Sequence, residues 1–163
     1  MQRWQRRLLG VLALGGSFTG LVLVLTLLVG SGSIASKAFP LPFLALYVWG
    51  MICGLRLLEG DDKAAHQNFL FWLVQLPYLQ SPLAGYIFSS GASLYFTFQP
   101  SIEKWGFSAH LGSNFVYSLL QTEMPLVLGI NIFALVVSGY LFLLVRRAPP
   151  NNSFKPNPLR GSA

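Results

Sequence analysis

The feature that most constrains this chain is an uninterrupted apolar run, Leu8–Val29, which follows directly behind three arginines. As an α-helix, a run of this length rises about 33 Å, and the hydrocarbon core of a bilayer is about 30 Å thick. The run therefore predicts a membrane-spanning helix. Arginines before it and small residues after it leave a cleaved signal peptide as the alternative. Its length argues for retention, because signal peptides carry apolar regions of roughly 7 to 15 residues.

The composition agrees with a membrane protein, since 53% of the residues are hydrophobic and only 10% are charged. Soluble domains carry about 25% charged residues. A net charge of +6 could indicate nucleic-acid binding, but the basic residues flank apolar segments. We therefore expect the lipid bilayer as a partner, and no nucleic acid. The single cysteine, Cys53, excludes an intrachain disulfide and is expected to be a packing residue.

Three further apolar segments predict spans over residues 39–58, 69–98 and 124–145. The third has 30 residues without a formal charge, and Pro77 and Pro82 within it predict a kink. In the following loop Phe107, Leu111, Phe115 and Leu119 recur at every fourth position, which predicts an amphipathic helix in the interface or a short soluble cap. The predicted fold is all-α: an integral membrane protein with four transmembrane helices plus this amphipathic helix in the third-to-fourth span loop.

The distribution of basic residues predicts the orientation of these spans. With four spans both termini lie on one side, and that side carries nine of the eleven basic residues: Arg3, Arg6, Arg7, Arg56, Lys63, Arg146, Arg147, Lys155 and Arg160. Only Lys37 and Lys104 lie on the other side. Because positive charge accumulates in cytoplasmic loops, both termini are expected in the cytoplasm.

The predicted membrane domain covers residues 1–147, and the proline-rich segment 148–163 is expected to be a disordered cytoplasmic tail. The tail ends in NNSFKPNPLRGSA. This peptide resembles the C-terminal peptides of proteins encoded in bacterial integron gene cassettes, where the reading frame runs into the recombination site. The resemblance implies a bacterial, mobile origin, and hence the inner membrane as the location. It covers the tail alone and implies nothing about the activity of the spans.

An acidic cluster between the second and third spans is the best candidate for metal chemistry. Asp62 and His66 lie one helical turn apart, and Glu59 could serve as a third ligand. The alternative is that these acidic groups cap a helix N-terminus. The chain contains no phosphate-binding loop, zinc spacing or nucleophile elbow, so we expect no catalytic residue and no cofactor.

Two further residue sets predict packing and a cavity. Gly16 with Gly20, and Gly50 with Gly54, form two GxxxG motifs that would allow close packing of the first two spans or of two copies of the chain. Polar or helix-breaking residues inside the later spans could line a cavity: Gln75, Pro77, Gln80 and Asn131.

These features favour a non-enzymatic, multi-pass membrane protein that acts by helix packing or by interaction with a homo-oligomer or membrane partner. A small transporter or channel for neutral or hydrophobic solutes is the alternative, because no span holds a central ionisable residue of the kind that proton coupling needs. A membrane-embedded enzyme that uses the acidic cluster is the third hypothesis.

Overall fold

The computed structural model describes residues 2–30, 37–61 and 63–147, and this part of the chain is a mixed α/β structure. The helices are α1 (Arg3–Val29), α2 (Leu41–Glu59), α3 (Ala64–Val74) and α4 (Ile132–Arg147). The strands are β1 (Pro77–Gln80), β2 (Ala84–Ser89), β3 (Ala92–Gln99), β4 (Lys104–Leu111), β5 (Asn114–Leu119) and β6 (Val127–Asn131). The predicted disordered tail, 148–163, lies outside the described residues.

The all-α prediction is wrong, because the middle of the chain forms a six-stranded antiparallel sheet. The predicted third span, 69–98, consists of the end of α3 followed by three strands. The predicted amphipathic helix is β4 and β5, and the predicted fourth span begins as β6 before it becomes α4. Four full-length transmembrane helices are therefore absent from residues 2–30, 37–61 and 63–147.

The first two predicted spans coincide with α1 and α2, which are long and apolar enough to cross a membrane. The two helices pack antiparallel at very short range. A Cβ atom on Gly54 would lie 2.7 Å from the backbone nitrogen of Leu14, and Gly20 lies directly against the ring of Tyr47. Small residues thus let the two backbones approach each other.

Helix α3 ends at Val74, shortly before Pro77, and the backbone then continues as a strand. Proline removes an N–H group and pushes the preceding residue out of helical geometry, so Leu76 cannot continue the helix. Pro77 is the first residue of β1, a position at which a strand tolerates proline. The loop after β1 is closed by Ser81, whose backbone N–H and hydroxyl both donate to the carbonyl of Ala84.

Two pairs of strands form one long, bent hairpin. The strand order is β4-β3-β6-β1-β2-β5, and the β3–β4 and β2–β5 pairs share one continuous register, in which Ala92 pairs with Leu111 and Ser89 with Asn114. The bend lies at Gly91 and Gly112, with φ angles of 89° and 108° that favour glycine. Strands β6 and β1 fill the opening between the two arms of the hairpin.

Residue alternation explains why this segment is a sheet. In β3, Leu94, Phe96 and Phe98 alternate with polar residues, and β4 continues the same pattern. Apolar residues four positions apart lie on one side of an α-helix, which has a period of 3.6, and they also lie on one face of a strand, which has a period of two. The intervening Trp105 and Ala109 complete a period of two, which is typical of a strand.

The sheet packs on the helices through aromatic side chains. Phe43 of α2 lies 5.0 Å from Phe115 and 6.1 Å from Tyr86, measured between ring centroids. The hydroxyl of Tyr86 donates to the carbonyl of Val74, 3.0 Å away, at the end of α3. These contacts fix the β2–β5 arm against α2.

The bend of the hairpin rests on the middle of α1. We call residues 90–91 and 112–113 the sheet vertex. Gly16 lies against the backbone of Gly91, and Ser113 donates a hydrogen bond to the Gly16 carbonyl. Ser17 and Ser90 share a buried hydrogen bond of 3.0 Å. A β-carbon at position 16 has no room, because the opposing atoms belong to backbone.

We expect Gly16→Ala to lower the free energy of unfolding by about 1 to 3 kcal/mol, since the added methyl group forces the vertex away from α1. Gly15→Ala is the matched control, because a Cβ atom there meets nothing within 4 Å. The measurement is equilibrium unfolding in mixed detergent micelles. Equal stability of the two variants would contradict the proposed role of the vertex contact.

Alkaline pH should destabilise the contact between the sheet and the helices. Burial raises the pKa of Tyr86 to about 12, above the ordinary value of 10.0. The unfolded chain therefore loses this proton first, so the contribution of Tyr86 to stability is constant below about pH 10 and falls as the pH rises toward 12. Tyr86→Phe should unfold with a shallower pH dependence between pH 10 and 12. An unchanged slope would show that Tyr86 does not carry this effect.

Candidate functional site

The register of the sheet places its polar side chains on one face. We call this surface, on strands β4, β3, β6 and β1, the polar face. It consists of Tyr78, Gln80, Ser93, Tyr95, Thr97, Gln99, Lys104, Gly106, Ser108, His110, Val127, Gly129 and Asn131, of which Val127 is the one large apolar side chain. The opposite surface, which we call the apolar face, carries Pro77, Leu79, Ala92, Leu94, Phe96, Phe98, Trp105, Phe107, Ala109, Leu111, Leu128 and Ile130.

Three buried polar atoms of the polar face have no hydrogen-bond partner among the described residues. They are Ser93 Oγ, Tyr95 Oη and Asn131 Nδ2. Tyr95 and Asn131 are cross-strand partners, and Ser93 lies two positions before Tyr95 on the same face of the same strand. Native proteins pair nearly all buried polar atoms, so such a cluster needs a physical explanation.

Asn131 is held by the backbone at the junction between β6 and α4. Its Oδ1 accepts from the N–H of Leu94 at 3.1 Å and from the N–H of Ala134 at 3.2 Å. The second bond satisfies one of the free N–H groups in the first turn of α4. Because two donors fix the amide oxygen, Nδ2 is the free end of a rigidly held side chain.

Tyr95 lies at the centre of the polar face. It is 1% exposed, and its ring lies 5.1 Å from Tyr78 and 6.5 Å from His110, measured between centroids. His110 is exposed on β4, so the face is covered at its centre and open toward β4. Burial, and then the neighbouring Tyr95, raise the pKa of Tyr78 above its ordinary value of 10.0.

The arrangement offers two hydroxyl groups, each able to donate and accept, and one amide donor. No aspartate, glutamate or arginine lies on the polar face, and Lys104 is at its far end. These groups suit an uncharged polar ligand. An anion or cation would lose its hydration without gaining an opposite charge, which is costly in a buried site.

The structure separates the residues predicted to line a cavity. Gln75 is buried, and its carboxamide is already paired, because it accepts from Ser90 N–H at 2.8 Å and donates to the Phe71 carbonyl at 3.3 Å. Pro77 is exposed on the apolar face, and Gln80 donates to the sulfur of Met124 at 3.5 Å. Asn131 alone joins the unpartnered cluster.

The predicted metal cluster is only partly described. Asp62 lies outside the described residues. Glu59 is the last residue of α2, and His66 is exposed in the first turn of α3. Among the described residues no group of three histidine, cysteine, aspartate or glutamate side chains could hold a metal ion. Asp61 accepts from the N–H of Lys63 at 3.0 Å, which is a turn contact before α3.

The four glycines of the GxxxG motifs have different neighbours. Gly54 packs on the α1 backbone, Gly20 on Tyr47, and Gly50 on Ser17 together with the ring of Phe71. Gly16 instead contacts the sheet vertex. Gly20 and Gly54 therefore bring α1 and α2 close together, as the motifs predict. Gly50 also contacts α3 through Phe71, and Gly16 contacts the sheet.

Sequence reasoning misses Ser93 and Tyr95, because they lie in the uncharged run 69–98, for which the sequence predicts a helix. The available signal was the alternation of Ser93, Tyr95 and Thr97 with apolar residues. Comparisons of the chain with protein-family models, with curated proteins and with solved structures find no match. The functional argument therefore depends on the geometry of this site.

Proposed function

We propose that the protein is a non-enzymatic membrane protein that binds a small uncharged polar ligand on the polar face of its sheet. The observation that carries the proposal is the cluster of Ser93 Oγ, Tyr95 Oη and Asn131 Nδ2, all buried and unpartnered among the described residues. Each unpaired buried group costs about 1 to 3 kcal/mol. A ligand that pairs with them removes this cost, so binding gains free energy at these positions.

Membrane insertion is supported by the surface of α1 and α2. Their most apolar windows are only 39% and 33% buried, so most of their side chains face outward. The core helices of a soluble protein would be mostly buried. Apolar side chains such as Leu8, Phe18 and Ile52 are exposed along these helices, as expected when lipid surrounds them.

The orientation is supported by the placement of charge. Helices α1 and α2 are antiparallel, and Tyr140 of α4 donates to Gln5 of α1 at 2.6 Å, so three helix ends meet on one side. The basic residues near these ends are Arg3, Arg6, Arg7, Arg56, Lys63, Arg146 and Arg147. By the positive-inside rule this side faces the cytoplasm of a bacterial cell, and both termini lie there. The tip of the hairpin, near Ser101, then faces outward.

Binding can be tested by thermal unfolding of the purified full chain with glucose, myo-inositol, glycerol and acetamide. At least one of these compounds should raise the unfolding temperature, because a ligand that binds only the folded state stabilises it. Tyr95→Phe should abolish that shift. It should not weaken the free protein, because the lost hydroxyl is unpartnered among the described residues.

Tyr140→Phe is the matched control for binding, since its hydroxyl contacts Gln5 and lies away from the polar face. This variant should keep the ligand-induced shift. Two results would contradict ligand binding at this site: no compound stabilises the wild type, or the shift persists in Tyr95→Phe.

Orientation can be tested with single cysteines in a Cys53→Ala background, labelled in intact cells by a membrane-impermeant maleimide. Ser101→Cys at the hairpin tip should react from outside, because this residue is exposed on the side opposite to the arginines. Ser153→Cys should react only after the cells are lysed. Labelling of position 153 in intact cells would show that the orientation is wrong.

A further inference from the structure

The apolar face of the sheet is exposed on three neighbouring strands, β4, β3 and β6. On β4, Trp105 is 61% exposed, Phe107 is 66% exposed and Leu111 is 93% exposed. The face extends over exposed side chains of β3 and β6, and none of its residues is charged. Soluble monomers rarely leave a contiguous apolar surface of this extent uncovered. The apolar face therefore requires a partner.

The same exposed apolar surface continues from the sheet into the helices. Strand β6 leads without a break into α4. Leu128 and Ile130 of β6 are exposed, and so are Leu135 and Val136 of α4. Helix α4 is in turn hydrogen-bonded to α1 near the arginines. The partner of the apolar face is therefore the one that surrounds the helices, which is the acyl-chain region of the bilayer in the insertion proposed above.

Polarity along β4 follows the depth of one leaflet. Leu111 pairs with Ala92, beside the sheet vertex, and the vertex rests on the middle of α1. Trp105 lies nearer the hairpin tip by six residues, or about 20 Å in an extended strand. Half of a hydrocarbon core measures about 15 Å, so Trp105 reaches the interface, where tryptophan is enriched. The charged residues Glu103 and Lys104 follow at the tip. A leaflet requires this order, whereas a protein partner does not.

The reverse side of these strands requires water at the same depth. Ser108 and His110 are exposed on the polar face, between the levels of Leu111 and Trp105. Strand β4 is also an edge strand, so its backbone groups that point away from β3 have no partner within the sheet. Non-helical backbone at membrane depth is tolerated only inside protein or along a water-filled cavity. Since β4 is exposed, water on the polar face must supply these partners.

We propose that strands β3, β4 and β6 form a wall between the outer leaflet of the membrane and a water-filled cleft. Phospholipid acyl chains contact the apolar face, and water enters along the polar face from outside the cell. The ligand site then opens to the outside, although it lies at membrane depth. The proposal rests on the insertion and orientation proposed above, and it does not depend on which ligand binds.

The test compares two adjacent residues of β4 that lie at one depth on opposite faces. Phe107→Cys and Ser108→Cys, each in a Cys53→Ala background, are labelled with a fluorescent maleimide. The full chains are reconstituted in phosphatidylcholine and phosphatidylglycerol vesicles, with and without bromine on the acyl chains. Bromine quenches on contact, so position 107 should be quenched about threefold more than position 108, because successive strand residues point to opposite faces. Both residues are exposed, so neither label displaces a buried side chain.

Phe18→Cys in the same background is the reference for insertion itself. Phe18 is 55% exposed on α1 and lies close to Gly16, at the level of the sheet vertex. Its label should be quenched about as strongly as the label at position 107, because both meet acyl chains. Circular dichroism shows whether each labelled variant keeps the fold. Leu111→Cys and His110→Cys, both at exposed positions, repeat the comparison nearer the vertex if a label at 107 or 108 unfolds the chain.

Water on the polar face is tested in intact cells with a membrane-impermeant maleimide. Ser108→Cys should react from outside about tenfold faster than Phe107→Cys, because a maleimide reacts with the thiolate, which forms in water and not among acyl chains. Neither position should gain reactivity when the cells are lysed, because the cleft opens outward.

The outcomes separate this wall from membrane insertion. Quenching at position 18 without quenching at position 107 overturns the lipid contact while insertion stands, and a second copy or another protein then covers the apolar face. Quenching at position 108 that equals or exceeds that at 107, or a failure of position 108 to react from outside, overturns the water-filled cleft. Absence of quenching at position 18 refutes the insertion, and the proposed wall fails with it.

Discussion

The structure depends on satisfying the backbone at the two points where helix changes to strand. Gln75 closes α3 and bonds the N–H of Ser90, and Asn131 ends β6 and bonds the N–H groups of Leu94 and Ala134. The backbone N–H of Asn131 also donates to Leu76 at 2.9 Å, so the two junctions bond each other. Buried away from water, each unpaired group would cost as much as a lost hydrogen bond. Two carboxamides thereby allow a sheet to continue directly from a helical bundle.

Close backbone approach at small residues then sets the position of this sheet. The vertex reaches α1 only because neither Gly16 nor Gly91 has a side chain, and the hydroxyl groups of Ser17, Ser90 and Ser113 pair with one another or with backbone. The polar backbone of the vertex is thus buried in protein, and in the proposed membrane orientation this is the condition for irregular structure within a bilayer. These serines and glycines therefore allow the sheet vertex to pack against α1 while the hydroxyl groups at the contact are hydrogen-bonded.

The sequence determines α1 and α2 clearly, because length and apolar content suffice to define such helices. It determines the sheet poorly, for two physical reasons. First, the uncharged run over 69–98 is compatible with a buried helix and equally with strands in apolar surroundings. Second, the spacing of Phe107, Leu111, Phe115 and Leu119 fits both the helical and the strand period. Asn131 could be selected as a polar residue in an apolar segment. Ser93 and Tyr95 could not, because their proximity to Asn131 arises from the β3–β6 register, which the sequence leaves open.

The same alternation accounts for both surfaces on which the function is proposed. In β3 and β4 one set of positions builds the apolar face and the alternate set builds the polar face, so the two surfaces arise from a single sequence pattern. The polar face is covered at Tyr95, where hydroxyl and amide groups are buried. It is open at His110, which gives access from β4. The strand beside this entrance, β4, is one of the two edge strands of the sheet. The entrance to the polar face therefore lies along one open edge of the sheet, where the exposed residues of β4 border it.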